Sequence, residues 1–528
     1  MQIGLRPLFS RFTCRSLSTN ANSGAFIAGS QPRFTTPATS IHVLQQPTEF
    51  YNALLSMIRR AKTRLIISSL YVGTEETELL GALHDALSFN PMLTVHMQLD
   101  FNRSTREGPG QFRSTAHMLV PLVEKFPDRV SISLYRTPKL KGIMSRIVPA
   151  RYNEGWGTWH AKIYAADDEV LLSGANLSSS YFTNRQDRYF HLVDQRHLVD
   201  YFSAFLRTFS LFAYSLLPPS LSTASSSNNS YSSSDSQYHL SWRHPTAHPR
   251  NFEIAAETAI KALQDSHTKP NPRIVSPSVV IPESDPADVE HDTEIYPLIQ
   301  SGVLGIREEE CVLTRLFDHH LESSSQPRAS DSGRKKTMID LTSGYFALYE
   351  PYQRRALCPG PHWRIIAASP KANGFYGSKG LSGRIPEGYT MLEQRFWNRV
   401  VKAGREWGGG EDQAGGVELG EWEREGWTYH AKGIWISPYG ESSSSVGPST
   451  TLFGSTNLNA RSANLDTELS FLLRTRSREL QARLGEEVDW LRRDAKRVGE
   501  KEWEASGRKI GGTSLGTRAI MALVWRML

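Results

Sequence analysis

Short runs of apolar residues, rather than long stripes, dominate the hydrophobic pattern from about residue 41 onward. "TRLIISSLYVG" reads as a buried strand, and "LTVHMQLDF" and "VSISLYRT" alternate apolar and polar positions as further strands do. "TEETELLGALHDAL" between them carries helical spacing and predicts a helix opening on a Thr/Glu cap. A turn meeting a helix start invites a phosphate-loop reading, but this stretch lacks the Gly-Lys-Ser/Thr that such a loop needs. The pattern is that of an α/β protein.

Residues 218–236, "PPSLSTASSSNNSYSSSDS", carry almost no apolar side chains and predict a linker between two halves. After a second irregular tract, "ESSSQPRASDSGRKK", the strand pattern resumes at "TMIDLTSGYFALY". "GGGEDQAGG" and "GESSSSVGPST" read as loop insertions. The partition expected is therefore 1–40 as a disordered leader, 41–215 and 251–480 as two lobes, 216–250 as a linker and 481–528 as a helical tail.

The halves echo one another. "TWHAKIYAADD" contains His160 and Lys162, and "WTYHAKGIWIS" contains His430 and Lys432. Ser68 of "IISSLYVG" lies 92 residues before His160, and Ser343 of "DLTSGYF" lies 87 residues before His430. "SGANLSSS" follows the first copy and "GSTNLNAR" the second. A four-residue string can recur by chance, but the whole order cannot, so the chain is read as a duplicated domain.

In a strand His160 and Lys162 share a face. A hairpin turning near Asp167 returns Asn176 to the Trp159/His160 end, and His430, Lys432 and Asn457 repeat the arrangement. Imidazole is a nucleophile and proton carrier near neutral pH, and Lys and Asn supply charge and hydrogen bonds for phosphoryl oxygens. Two facing sets suit phosphodiester transfer, with one His attacking phosphorus and the other handling the proton. Asp187 lies 11 residues after Asn176, and Glu468 lies 11 residues after Asn457. A carboxylate on the far ring nitrogen would fix each imidazole's tautomer.

"HAKIYAAD" matches His-x-Lys-x4-Asp, the signature of the phospholipase D superfamily. "SGANLSSSYFTNRQDRYF", "DLTSGYFALYEPY", "ASPKANGFYGSKG" and "WTYHAKGIW" together resemble its mitochondrial phosphatidylglycerophosphate synthase family, over about residues 41–474 without the Ser-rich insertions. The resemblance implies two duplicated α/β/α sandwich lobes sharing an active site at their interface. It implies phosphatidyl transfer from CDP-diacylglycerol to sn-glycerol 3-phosphate with release of CMP, in phosphatidylglycerol and cardiolipin biosynthesis. His160, Lys162 and Asp167 match the first signature. His430 and Lys432 match the second, where Ser437 stands in place of the Asp. A phosphohistidine on His160 is the family's preference. The alternatives are another phosphodiester enzyme of this fold (a cardiolipin synthase, phospholipase or nuclease) or an inactive lipid-binding relative.

Composition adds three points. The net charge of +6 suits an anionic partner, and no nucleic acid is expected. Cys14, Cys311 and Cys358 form neither a disulfide framework nor a zinc set, and neither metal nor cofactor is expected. Residues 1–48 hold no Asp or Glu, and "LRPLFSRFTCRSL" has the make-up of a mitochondrial transit peptide, so a mitochondrial location is expected, at the inner membrane if the family resemblance holds. "KLKGIMSRIVPARY" (139–152) and "TRAIMALVWRML" (517–528) interleave cations with apolar residues, as segments at an anionic membrane surface do. Lys371, Lys379 and Arg384 are the weaker candidates for the glycerol-phosphate site.

Overall fold

A computed structural model describes residues 28–508 and 512, apart from 109, 142–147, 149–152, 222–229, 234, 269–290, 326–335, 409–414 and 440–446. The basic stretch before residue 28, the segment 517–528 and most of 139–152 therefore lie outside the described residues. Among those described, no helix is long and apolar enough to cross a membrane.

Two mixed sheets repeat one another strand for strand. In the first, Arg64–Ser68, Thr94–Asp100 and Val130–Tyr135 run parallel, and Ile163–Ala166, Glu169–Ser173, Tyr189–Leu192 and Ile41–Leu44 continue the sheet antiparallel. In the second, Lys336–Ser343, His362–Ala368 and Val417–Trp422 are the parallel set. Lys432–Tyr439, Thr450–Gly454, Glu468–Thr475 and Thr293–Ser301 follow antiparallel. The duplication read from spacing is thus a duplication of topology.

Both faces of each sheet are covered, which is why the central strands read as continuous apolar runs. In "RLIIS", Ile66 points into the core shared by the two sheets, while Leu65 and Ile67 point to the outer core of the first lobe. The outer core is closed by helices Pro47–Arg60, Thr77–Phe89 and Thr115–Lys125. The shared core contains the helix Arg196–Ser210, whose Leu198, Phe202, Phe205 and Phe209 recur at helical spacing. Burying each of these phenylalanines contributes about 1.5–3 kcal/mol. The helix Thr77–Phe89 does not open on a side-chain cap: Glu76 occupies the cap position without one, and burial pushes its carboxyl up to about 7.

Three expected boundaries move. Phe34–Thr36 is not leader but an edge strand of the second sheet, paired with Thr293–Ser301, and the chain then enters the first sheet at Ile41–Leu44. The expected linker contributes Ser230–Ser232 and His239–Trp242, which extend the first sheet beyond Tyr214–Leu217. Helix Arg478–Arg492 crosses the boundary at 480, and Ala495–Arg497 pairs with Val417–Trp422. Composition misled at the edge strands, because a strand of three or four residues at a sheet edge needs few apolar side chains.

The lobes are locked by a buried ion pair. Arg188, from the first half, places its guanidinium 3.7 Å over the Trp435 ring and donates Nε and Nη2 to the Glu487 carboxylate at 2.8 and 2.9 Å. Nη1 donates to the Leu452 carbonyl at 2.7 Å, and Trp435 Nε1 donates to Glu487 Oε2 at 2.8 Å. Gly433, with φ +144°, passes so close that a Cβ there would collide with this guanidinium.

Asp167 braces the first hairpin. With φ +50° it sits at the turn between Ile163–Ala166 and Glu169–Ser173. Its carboxylate accepts from the backbone N–H groups of Lys62 (2.8 Å), Thr63 (2.8 Å) and Arg64 (3.2 Å) and from Thr63 Oγ1 (2.6 Å). These bonds outweigh partial burial and hold its pKa below the usual value. Ser437 lies instead within Lys432–Tyr439, opposite Met338, where the strand continues past the point at which its counterpart turns.

Arg188→Met strands Glu487 without its cation and is expected to cost about 3 kcal/mol in chemical denaturation, as loss of one member of a buried pair does. Asp167→Ala removes four hydrogen bonds and is expected to lower Tm by a few degrees, about 2 kcal/mol. Ser437→Ala is expected to leave Tm unchanged; an equal drop for both would contradict the brace.

Candidate active site

The two His-x-Lys strings meet across the lobes, and each is held by the other half. Trp159 bridges Thr467 in parallel, with His160 N donating to the Thr467 carbonyl at 2.8 Å and Thr467 N to the Thr158 carbonyl at 2.9 Å. Reciprocally, Thr428–Tyr429 pairs in parallel with Arg185–Gln186, and His430 N donates to the Gln186 carbonyl at 2.8 Å. The carboxylates one residue further along therefore land on the opposite half's imidazole. His160 Nδ1 lies 2.8 Å from Glu468 Oε2, and His430 Nδ1 lies 2.6 Å from Asp187 Oδ2. The matched offsets of Asp187 and Glu468 come from this exchange, which spacing alone did not disclose.

The lysines complete each set differently. Lys162 Nζ donates to the His160 carbonyl at 2.8 Å. Lys432 Nζ lies 2.6 Å from His430 Nδ1 and 3.4 Å from Asp187 Oδ2. Gly174 makes room for it, because a Cβ there would come within 2.5 Å of Nζ and 2.9 Å of the Asp187 carboxylate. All four side chains are buried, His160 the least so, and both carboxylates are buried as well.

Burial sets the protonation of the site. It pulls His160 below its usual value, against the Glu468 carboxylate, which favours the imidazolium. It pulls His430 well below, aided by the Lys432 ammonium. Lys162 is brought down by burial to about 7, and burial lowers Lys432 as well. Burial would raise Asp187, but Lys432 and His430 outweigh it and hold the carboxyl below its usual range; His160 and Lys162 do the same for Glu468. Both carboxylates thus stay ionised and accept from Nδ1, leaving each Nε2 for chemistry.

The hairpin pairing ends at Tyr164 and Leu171, and the chain continues from Glu169–Ser173 to Asn176. Its Nδ2 donates to Tyr181 Oη at 2.9 Å, and that hydroxyl lies 3.4 Å from His430 Nε2. The amide oxygens of Asn176 and Asn457 are buried with no hydrogen-bond partner, which leaves one unfilled polar position in each half for a ligand. Asp167 contacts neither His; its partners are at residues 62–64. Its membership of the catalytic set, expected from the motif, gives way to the turn brace, since the strand Ile163–Ala166 separates it from His160.

The expected glycerol-phosphate candidates are not gathered here. Lys371 pairs with Glu423 at 3.3 Å on the surface, and Lys379 and Arg384 are exposed. The walls are made instead by residues the motif search passed over. Tyr181 and Tyr345 stand edge-on to His430, with ring centroids 5.0 and 5.7 Å away. Arg185 lies 4.4 Å over the Tyr181 ring, and Arg103 lies 4.3 Å over Tyr71. One signal was available: Tyr71 follows Ser69 by two residues as Tyr345 follows Ser343, and both strands lead directly to the site.

No protein-family model matches the chain. Curated relatives named CDP-diacylglycerol–glycerol-3-phosphate 3-phosphatidyltransferase do. That of Schizosaccharomyces pombe is 34% identical over 89% of this chain and 92% of its own length. The mitochondrial one of Gallus gallus is 32% identical over 92% of this chain and 83% of its own. Among solved structures, phosphatidylserine synthase from Haemophilus influenzae superposes with a TM-score of 0.63 over 95% of this chain and 98% of its own, at 20% identity. That likeness extends over both lobes of the duplicated fold. Identity and coverage together decide the family: this chain is a member of the CDP-diacylglycerol–glycerol-3-phosphate 3-phosphatidyltransferases.

Proposed function

We propose that the chain transfers the phosphatidyl group of CDP-diacylglycerol to sn-glycerol 3-phosphate through a phosphohistidine on His160. Family membership supplies the overall reaction, a phospholipid-synthesising transfer. The observation that carries the mechanism is the crossed pair of His–carboxylate contacts, which makes the two imidazoles a single buried unit.

His160 Nε2 attacks the phosphatidyl phosphorus, and the bond from phosphorus to the CMP oxygen breaks. His430, as imidazolium, gives its Nε2 proton to that oxygen. The pyrophosphate's negative charge raises both lysines and His430 from the low positions that burial imposes, so the site charges as the donor binds. Asn176 and Asn457 fill their unpartnered amide positions on the phosphoryl oxygens; exchanging the two ends of either amide turns the free atom into a donor. After CMP leaves, His430 takes the proton of the glycerol hydroxyl, which attacks phosphorus and expels His160. Asp187 and Glu468 are positioning residues that hold Nδ1–H and steady whichever imidazole is charged.

The finer location follows the same reading. Several relatives are named mitochondrial, and an inner-membrane surface is where this chain meets its lipid. Tyr376, 60% exposed and three residues before the exposed Lys379, supports lipid contact on the loop that follows Gly374. Nucleic acid is not a partner in this reading. Labelled glycerol 3-phosphate with CDP-diacylglycerol, run against phosphatidylglycerol and single-stranded DNA, separates it from a cardiolipin synthase, phospholipase or nuclease.

His160→Ala is expected to abolish both transfer and exchange of labelled CMP into CDP-diacylglycerol; exchange that survives would move the nucleophile elsewhere. Lys432→Ala is expected to lower kcat by about 10²-fold or more, as loss of a charge-stabilising group does. The lowered imidazole pKa values keep the free histidines neutral below pH 6.5, so the acid limb of kcat/KM is expected to fall below that pH. A limb at or above 6.5 in a pH–rate profile would contradict the burial argument.

A further inference from the structure

The two halves are near copies, yet one matched position carries opposite charge. Counting back two residues from each crossed carboxylate gives Arg185 in the first half and Asp466 in the second. Each meets the threonine two residues before the opposite histidine. Arg185 Nε donates to Thr428 Oγ1 at 2.9 Å, whereas Thr158 N and Oγ1 donate to Asp466 Oδ1 at 2.9 and 3.0 Å.

The charge at Asp466 is cancelled on the spot by Arg461, whose Nε lies 2.9 Å from Asp466 Oδ2. Arg461 Nη2 also donates to the Glu154 carbonyl at 2.9 Å, and the Glu154 carboxylate takes Arg103 at 3.3 Å and Arg106 at 2.5 Å. On this side each arginine has a carboxylate within ion-pair distance, Arg103 and Arg106 sharing one. Arg185 has none: among the described residues no carboxylate comes within ion-pair distance, and the groups that favour its charge are the hydroxyls of Tyr181, Tyr345 and Tyr71. A half-buried guanidinium left uncompensated next to a phosphoryl-transfer centre calls for an anion.

Its placement fits the acceptor rather than the donor. The Tyr181 face on which Arg185 stacks presents its hydroxyl to His430 Nε2. Gly374 closes over the same spot: a Cβ there would lie 2.8 Å from Tyr345 Oη and 3.4 Å from Arg185 Nη2. The absent side chain leaves a notch with a guanidinium edge on one wall and a phenol on the other. The donor's phosphates already have Lys162, Lys432 and two asparagines. Glycerol 3-phosphate brings a second, dianionic phosphate only a few bonds from its reacting hydroxyl, and the planar fork of arginine suits such a group.

Building on the transfer reaction proposed above, we infer that Arg185, with the Tyr345 hydroxyl beside it, binds the phosphate monoester of the acceptor and so seats glycerol 3-phosphate at His430. This breaks the near-symmetry of the site. The histidine beside the acceptor is the one that deprotonates its hydroxyl, which leaves His160 as the nucleophile on grounds independent of family preference. Arg185 is a binding and specificity residue, and it takes no proton.

The same phosphate chemistry is present in the departing CMP, and the experiment separates the two. The full chain and its Arg185→Gln and Arg185→Lys variants are assayed in mixed micelles of CDP-diacylglycerol. Three readouts are taken: CMP exchange without acceptor, transfer to glycerol 3-phosphate, and transfer to glycerol, which lacks the phosphate. Arg185→Gln is expected to raise KM for glycerol 3-phosphate by about 10²-fold, the worth of charged hydrogen bonds, and to collapse the preference for it over glycerol by a similar factor. CMP exchange is expected to fall far less than transfer. Arg185→Lys, with charge but no fork, is expected to fall between. Equal losses in exchange and transfer, with the acceptor preference intact, would overturn the assignment and give the guanidinium to CMP or to folding. Wild-type protein that exchanges CMP but transfers to no phosphorylated acceptor would overturn the reaction itself, and the assignment with it.

Discussion

The reciprocal pairing of residues 158–160 with 466–468, and of 428–430 with 185–187, is the constraint on which the rest depends. Each imidazole is oriented by a carboxylate that its own lobe does not supply. Neither lobe alone fixes its imidazole, because the carboxylate that each Nδ1 meets belongs to the other half. The Arg188–Glu487 pair and the stacking of Phe190 on Phe453, 3.9 Å between centroids, serve the same end by fixing the lobes to within hydrogen-bond tolerance. Rigidity matters here because a phosphoryl centre loses catalysis steeply with small displacements of its attacking and proton-bearing groups.

Duplication supplies the frame and divergence supplies the direction. Two equivalent histidines make a site that reads the same from either side, whereas a transfer between unlike substrates needs an entry side and an exit side. The departures from symmetry are few and local. Gly174 stands where Ser455 stands in the other half and lets Lys432 press against Asp187, while Ser455 Oγ is occupied by the backbone at Leu469. Asp466 is neutralised in place and Arg185 is not. The first hairpin ends in a braced turn at Asp167, and the second runs on through Ser437.

What the sequence discloses follows from the range of the forces involved. The hairpin that carries the first motif, with its turn at Asp167, was legible from about twenty residues of sequence because strand alternation and hairpin register are local. The crossing of Glu468 onto His160 was not legible. It joins positions 308 apart in the chain and is fixed by how two sheets face each other, which no periodicity records. Asp167 was placed with the chemistry by motif, although a residue seven positions from His160 along a strand stands near the far end of that strand. Arg185 went unnoticed in "TNRQDRYF" because an arginine among polar residues looks like surface; its lack of a counter-charge appears only in three dimensions.

Residues 34–44 limit how much of the N-terminus the fold can lose. Phe34–Thr36 belongs to the second sheet and Ile41–Leu44 to the first, so these few residues tie the two lobes together like a strap. Gln195 Nε2 fastens the strap at Thr36 Oγ1, 2.7 Å away, and Arg483 Nη2 at the Ala38 carbonyl, 2.9 Å away. A maturation protease that removed the chain up to residue 40 would therefore strip an edge strand from the distant lobe. A cut ahead of Phe34 leaves the clasp whole, which sets the innermost limit of any removable leader.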